Sequence, residues 1–277
     1  MHHFEITPKN LLLGVMQTGS EQAIPIRMVT EIGLLFGFSS NVMRVNVTRL
    51  LSSGTLEQDE RGYYRLNPQS SIRSTIVDSW HMGEPRRVPW NESWLMSCLP
   101  EKKSITNDKQ TIQALTYLGF KPSEASKWVR PNNLTLSRSD IEERLQMLGI
   151  TSHAQLYVVS ECSELLENRW RRELWPIQEH QKNYQAQIKA IKQSKKALKK
   201  MPLNQAVVES FMVGSEVVNT LAIDPLLPEE IMNSKYRTQL TELMKDYDLI
   251  GQEIWNRKFQ QLELEGIDAP KHLNLLG

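Results

Sequence analysis

The residues best suited to recognition chemistry lie between Ser40 and Leu51, where the apolar residues have helical spacing. Met43, Val47 and Leu50 recur at i, i+4 and i+7, which predicts a buried stripe on one side of a helix. The opposite side holds side chains that suit a DNA major groove, because arginine can bind guanine, asparagine can bind adenine, and valine or threonine can touch the thymine methyl group. The predicted DNA-contacting residues of this helix are Ser40, Asn41, Arg44, Val45, Thr48 and Arg49.

Two further helices and a hairpin are predicted around this segment. Thr7-Pro8 is typical of a helix start, because a hydroxyl can cap the helix and proline fits its first turn. A second helix is predicted over Ile26–Phe36. Asp59-Glu60-Arg61-Gly62 separates two short strands, which predicts a hairpin whose Arg61 and Arg65 could reach the DNA backbone. Residues 1–67 are therefore predicted to form a winged helix-turn-helix domain. This segment has as many acidic as basic residues, so a small helical domain without DNA binding remains open.

The remainder of the chain is predicted to contain a linker and two further domains. Residues 68–88 form the predicted linker. Residues 89–163 have the order strand-helix-strand-strand-helix-strand, which predicts a ferredoxin-like domain. From residue 164 to 277 the apolar residues fall at helical spacing, with one helix over Leu165–Leu198, so we expect an all-helical C-terminal domain. The predicted fold class is α+β.

Composition and motifs argue against several classes of function. The net charge is only +1, so any DNA-binding surface must be local. The two cysteines form no C-x-x-C pair and the histidines have no ligand spacing, so we expect no metal site. Glycine-rich nucleotide-binding motifs and hydrolase motifs are absent, so we expect no catalytic residues, no cofactor and no enzyme activity. The sequence lacks a signal-peptide pattern and a long apolar stretch, which predicts a cytoplasmic protein without membrane contact.

Two other charged segments admit a structural and a functional interpretation. The lysines between Lys182 and Lys200 lie on a predicted helix, where a solvated surface and a phosphate-binding surface are both open. Asp224–Glu230 (D-P-L-L-P-E-E) has three carboxylates that could suggest a catalytic or metal cluster. Two prolines favour a rigid turn, however, and glutamates suit the first turn of a helix. We therefore expect a structural role for this string.

Two stretches resemble the PaaX-like family, the repressors of phenylacetic acid degradation. Residues 43–50 (M-R-V-N-V-T-R-L) resemble the family's V-R-x-A-L-x-R-L recognition helix, and Asp224–Glu230 resembles its D-P-x-L-P-x-x-L segment. Trp90 and Trp94 are similar to the tryptophan-bearing strand that opens the family's middle domain. The chain departs from the family at Asn46, where alanine is usual, and at Ile231-Met232, which replace the usual run after the glutamates.

The resemblance implies a homodimeric repressor that binds a palindromic, double-stranded operator near a promoter of aromatic-acid catabolism. It also implies the same three-part architecture and release from DNA by an aromatic acyl-CoA effector such as phenylacetyl-CoA. Such an effector needs cations for its phosphates and an apolar slot for its acyl group. The residues expected to bind it are Arg86, Arg87, Trp90 and Arg130. Two other classes stay open: an acyl-CoA or nucleotide-handling enzyme with an appended helical domain, and a protein-interaction module.

Overall fold

The structure is a computed structural model that describes residues 6–18, 22–67, 79–100, 109–124, 126–148, 150 and 155–272. These residues form a mixed α+β fold, as predicted, with two four-stranded sheets whose neighbouring strands are antiparallel. The chain divides into two compact units. The first unit comprises Met1–Ser71, Ala190–Val217 and Met244–Gly277, and the second comprises Ile72–Lys189 and Val218–Leu243.

The N-terminal part of the first unit contains the three predicted helices and the predicted hairpin. Its elements are α1 (Pro8–Thr18), β1 (Gln22–Pro25), α2 (Ile26–Leu35), α3 (Ser40–Ser52), β2 (Leu56–Gln58) and β3 (Tyr63–Leu66). The predicted start of α1 is confirmed, because the Asn10 amide donates to Thr7 Oγ1 at 3.2 Å. This bond satisfies an N–H of the first turn that has no partner within the helix.

The second unit begins with the predicted alternation of strands and helices. Its elements are β4 (Trp94–Cys98), α4 (Lys109–Tyr117), β5 (Lys121–Glu124), β6 (Lys127–Pro131), α5 (Arg138–Met147) and β7 (Gln155–Val159). The strands lie in the order β5-β6-β4-β7. Buried side chains from both helices and the sheet form one core, which includes Leu95, Leu115, Phe120 and Ile141. The predicted order strand-helix-strand-strand-helix-strand is observed.

Four helices and a short strand complete the described chain. They are α6 (Glu164–Glu173), α7 (Ile177–Leu198), α8 (Leu203–Ala222), α9 (Lys235–Leu264) and β8 (Lys271–His272). The single helix predicted over Leu165–Leu198 is wrong, because Pro176 cannot donate a helical hydrogen bond and α6 ends before it. Among the helices of the described residues, none combines the length and the apolar character that a membrane crossing requires.

The sequence does not predict two strands of the first unit. β1 pairs with β3, placing Ile24 opposite Tyr64, and β8 pairs with β1, so the sheet has the order β2-β3-β1-β8. The prediction of an all-helical C-terminal domain is therefore wrong at its end. A strand of two residues is too short to show a periodic pattern. The predicted domain borders at residues 67, 88 and 163 stay predictions.

The first unit has a continuous apolar core that includes α3. α1, α2 and α3 contact one another. Their buried side chains include Leu11, Leu12, Val15, Met16, Met28, Val29, Ile32, Met43, Val47 and Leu50. Phe211 of α8 extends this core, since its ring centroid lies 5.3 Å from that of Phe36 and 5.8 Å from that of Trp255 on α9. The core therefore fixes one side of α3 and leaves the other side outward.

Candidate nucleic-acid interface

The position of α3 is set by its inner side and by its first turn. Met43, Val47 and Leu50 are at most 5% exposed, as the spacing predicts. Ser39 caps the helix, and its Oγ accepts a hydrogen bond from the Val42 amide at 3.3 Å. A Cβ atom built at Gly33 of α2 would lie 2.4 Å from Cγ of Met43. Glycine at this position therefore permits α2 and α3 to pack closely.

The outer side of α3 presents the predicted DNA-contacting residues. Asn41, Arg44, Thr48 and Arg49 are exposed, Val45 is 41% exposed and Ser40 is half-buried. In the part of the chain that the structure describes, the guanidinium groups of Arg44 and Arg49 have no carboxylate partner. The helix contains no acidic residue. Its outer side therefore has two cations, an amide and a β-branched apolar side chain that a ligand could contact.

Two polar side chains of α3 each use one donor within the helix itself. Asn46 Nδ2 donates to the Val42 carbonyl at 2.9 Å, so this amide has a partner within its own helix. Thr48 Oγ1 donates to the Arg44 carbonyl at 3.1 Å. The methyl group of Thr48 and the lone pairs of its hydroxyl oxygen remain available for contact. One of the two N–H donors of Asn46, the position where the chain departs from the resembled family, is thus used by the helix itself.

The acidic residues of the β2–β3 hairpin are paired with cations. Arg65 Nε lies 2.5 Å from Glu57 Oε1, and an Arg65 terminal nitrogen lies 3.6 Å from Asp59 Oδ1. Lys271 Nζ donates to Glu60 Oε1 at 2.6 Å and lies 4.4 Å from the ring centroid of Tyr63. The hydrogen bond to Glu60 raises the pKa of Lys271. These two cations offset two of the three negative charges that would repel a phosphate backbone.

The two hairpin arginines of the prediction therefore differ in their surroundings. Arg65 is held by carboxylates of its own hairpin, whereas Arg61 at the tip is exposed and has no ion pair within the described ranges. Arg61 is the residue of the two that could extend to a phosphate. The sequence does not predict Lys271 on this surface, because this residue is 211 residues from Glu60 and no local pattern indicates the pairing.

The predicted effector residues are engaged in the second unit's own structure. Arg130 is 1% exposed, and its guanidinium donates to the carbonyls of Leu118, Pro131 and Pro225. Burial lowers the pKa of Arg130 to about 9. Arg86 donates to the carbonyls of Gly83 and Leu221 at 3.2 and 3.3 Å. Both guanidinium groups thus satisfy carbonyl oxygens of the protein.

Arg87 and Trp90 line a cavity of about 210 Å³ in the second unit. The cavity is also lined by Glu84, Glu229 and Glu230, so its carboxylates outnumber its guanidinium group. Ligand pockets for drug-sized molecules usually measure about 300–1,000 Å³. The cavity is small and acidic for an acyl-CoA, whose phosphates need cations.

The Asp224–Glu230 string has the structural role that we expect from its prolines. The expectation that its glutamates lie in the first turn of a helix is wrong, because Glu229 and Glu230 lie in a turn and α9 begins at Lys235. Asp224 accepts hydrogen bonds from the hydroxyl of Tyr184 and from the Leu226 amide, and it pairs with Arg237 at 3.4 Å. Leu226 has φ of 52°, and its carbonyl accepts from Asn133 Nδ2 at 2.7 Å. The buried carboxylate and carbonyls of this turn are therefore satisfied by side chains around it. Among the described residues, no group of three or more histidine, cysteine or acidic side chains could hold a metal ion.

The overall fold is similar to that of a solved structure, the uncharacterized protein Rv0674 from Mycobacterium tuberculosis. The two share 18% sequence identity at a TM-score of 0.59, over 92% of this chain and 99% of that chain. At this identity the similarity concerns the fold alone. No protein-family model matches the sequence, and no curated protein matches it.

Proposed function

We propose that the chain is a DNA-binding transcriptional regulator that places α3 in the major groove. The observation that supports this proposal is the outer side of α3, where Arg44 and Arg49 are exposed beside Asn41, Val45 and Thr48. Side chains of these types match the donors, acceptors and methyl groups of base edges. A helix without acidic residues can also approach phosphates without repulsion.

The arrangement of elements supports the proposal independently of the side chains. The order α1-β1-α2-α3-β2-β3, with β3 between β2 and β1, supports the proposal of a winged helix-turn-helix, with α3 as its recognition helix and the β2–β3 hairpin as its wing. The second unit's strand order β5-β6-β4-β7 corresponds to a ferredoxin-like sheet. We propose both assignments as parts of the same regulator.

The composition of this surface favours DNA over a partner protein. Protein interfaces are enriched in aromatic residues, methionine and arginine at their centres, so the arginines of α3 suit either partner and the aromatic content decides. The outer side of α3 contains Val42 and Val45, which are 38% and 41% exposed, and no aromatic residue. Its cations and amide suit a polar, negatively charged partner instead.

The experiment that tests the proposal is selection of bound duplexes from a pool of random double-stranded DNA, using the full chain. We expect enrichment of a defined sequence, with an affinity at least about 10³-fold above that for a scrambled duplex. Binding of the enriched and scrambled duplexes is then compared by fluorescence anisotropy at one salt concentration. The proposal fails if no sequence is enriched, or if both duplexes bind equally well.

The resemblance to the PaaX-like family extends the proposal to repression of an aromatic-acid catabolic operon by a homodimer, relieved by an aromatic acyl-CoA. Calorimetry with phenylacetyl-CoA and with free phenylacetate tests this extension. We expect heat of binding with the thioester and a lower affinity for the selected duplex in its presence. Absence of heat with the thioester contradicts the effector but leaves the DNA-binding proposal intact.

A further inference from the structure

The C-terminal half of α7 has a row of exposed lysines, which we name the lysine stripe. Its members are Lys192, Lys196, Lys199 and Lys200, the last two in the turn that follows the helix. Lys192, Lys196 and Lys199 recur at i, i+4 and i+7, so they lie on one side of the helix. Between His180 and Lys200 the sequence has seven lysines and no acidic residue.

Within the described ranges, the lysine stripe has no counter-charges of its own. The neighbouring Lys195 pairs with Asp246 of α9 at 3.5 Å. No such pair is found for the four stripe lysines among the residues that the structure describes. Lysines in the last turn of a helix are stabilised by the helix dipole, but this effect falls off within one turn and does not extend to Lys192. The stripe is therefore a local cationic surface in a chain whose net charge is only +1.

The lysine stripe and α3 belong to the same compact unit, and buried contacts connect them. The Ser194 and Tyr247 hydroxyls, on α7 and α9, lie 2.7 Å apart. Trp255 of α9 contacts Phe211 of α8, and Phe211 contacts Phe36 next to α2. A Cβ atom at Gly14 of α1 would lie 2.5 Å from the Phe211 ring, so α8 packs directly against α1 as well. Interiors packed this closely hold a distant surface in a fixed position relative to α3.

We infer that the lysine stripe is a second contact surface for duplex DNA, which binds phosphates without regard to sequence. This inference rests on the proposed function and adds a phosphate-binding site outside the winged helix. Lysine suits this role because its ammonium group is a flexible point charge that can neutralise phosphates without a fixed geometry. The winged helix itself is electrically neutral over residues 1–67, so its affinity for DNA would depend on cations elsewhere in the unit.

An anionic membrane is a less suitable partner for this helix. Helices that bind a lipid surface insert an apolar side into the interface between headgroups and acyl chains. The apolar side of this half of α7 consists of Ile191 and Leu198, which are at most 9% exposed, and it packs within the protein. The helix has no second apolar side to offer to lipid.

The test is the salt dependence of DNA binding by a triple variant, Lys192→Gln, Lys196→Gln and Lys199→Gln, in the full chain. The matched control replaces three exposed lysines of the second unit, Lys109→Gln, Lys182→Gln and Lys235→Gln. Both triple variants lose three charges, and lysine and glutamine have nearly equal helix propensity. The control includes Lys182 of the same helix, so the comparison separates the effect of the position of the lysines from the effect of losing three charges.

We expect the stripe variant to have a less negative slope of log affinity against log salt concentration, by about 0.9 for each lost phosphate contact. Affinity falls by some factor between about 50 and about 200 mM salt. If all three contacts are lost, this factor should be roughly 40 times smaller for the stripe variant than for the wild type. The change should be equal for the selected and the scrambled duplex. The control variant should keep the slope of the wild type.

Two results overturn the inference. One is an unchanged slope for the stripe variant while the wild type still selects its sequence, and this result leaves the proposed function standing. The other is a loss of binding to phosphatidylserine vesicles with no change in DNA binding, which would assign the stripe to a membrane. Failure of the wild type to bind any duplex refutes the proposed function itself, so the two failures are distinguishable.

Discussion

Replacement of Arg237 by methionine should destabilise the second unit, because its guanidinium forms ion pairs with the carboxylates of Glu84 and Asp224. Arg237 is 1% exposed. Its Nε and one terminal nitrogen donate to the two oxygens of Glu84 at 2.7 and 3.0 Å, and its other terminal nitrogen lies 3.4 Å from Asp224. The carboxylate of Asp224 is 1% exposed and that of Glu84 is 24% exposed. Removal of Arg237 therefore leaves a fully buried and a partly buried negative charge.

The expected loss follows from the burial of these groups. Removal of one partner from a buried ion pair costs about 3–5 kcal/mol, because the remaining charge stays buried without compensation. Glu84 can still reach solvent and Arg87, so we expect a value near the lower limit, about 3 kcal/mol. With a urea dependence of about 1–3 kcal/mol per molar, the unfolding midpoint should fall by about 1–3 M.

The assay is urea unfolding of wild type and Arg237→Met at neutral pH, followed by tryptophan fluorescence. Lys235→Met is the matched control, since Lys235 is exposed in the same helical turn and its variant should keep the wild-type midpoint. The double variant Asp224→Asn with Arg237→Met should recover part of the loss, because it removes the buried charge. A change below about 0.5 kcal/mol for Arg237→Met, the range of ordinary surface substitutions, refutes the reasoning.

Three further predictions concern the same two units. Ser39→Ala should lower the free energy of unfolding by about 1 kcal/mol and weaken DNA binding, whereas Ser39→Gly should lower it by only about a few tenths of a kcal/mol. Thermal unfolding measures the stability and fluorescence anisotropy measures the binding. Equal effects of the two variants would contradict the capping role of Ser39. Burial acts to raise the pKa of Glu84, but the hydrogen bond and charge of Arg237 lower it below its ordinary value of 4.5. A lowered pKa contributes stability that is present above the ordinary value and lost as pH falls through the lowered one, so urea midpoints should fall more steeply below pH 4.5 for wild type than for Glu84→Gln. Gly14→Ala should be less stable than wild type, because its Cβ would lie 2.5 Å from the Phe211 ring, and Phe211→Leu in that background should restore stability if the clash is the cause.

The sequence predicts the elements whose patterns are local. Thr7-Pro8 indicates the start of α1, and the spacing of Met43, Val47 and Leu50 indicates which side of α3 is buried. The order of strands and helices over residues 94–159 follows from short apolar runs separated by a helical pattern. Each of these features depends on residues that are neighbours in sequence.

Other features depend on residues that are distant in sequence. β1 has only four residues, one of which is proline, so its own residue pattern does not indicate that it pairs with β3. The pairing of Glu60 with Lys271 converts a hairpin that its sequence marks as acidic into one whose carboxylates are paired with cations. The sequence predicts Arg86 and Arg130 as effector ligands, because a charged residue gives no local sign that it will satisfy buried carbonyls instead.

The role of α3 in reading DNA sequence is tested by the effect of Arg44→Ala on the affinities for the selected and the scrambled duplex at one salt concentration. An arginine that contacts a base should contribute about 1–3 kcal/mol, so the variant should bind the selected duplex about 5–150-fold more weakly. Its affinity for the scrambled duplex should change far less. Arg138→Ala, which removes an arginine that is exposed in the second unit, is the matched control and should leave both affinities unchanged. If Arg44→Ala binds the selected duplex as tightly as wild type, α3 is not the recognition helix.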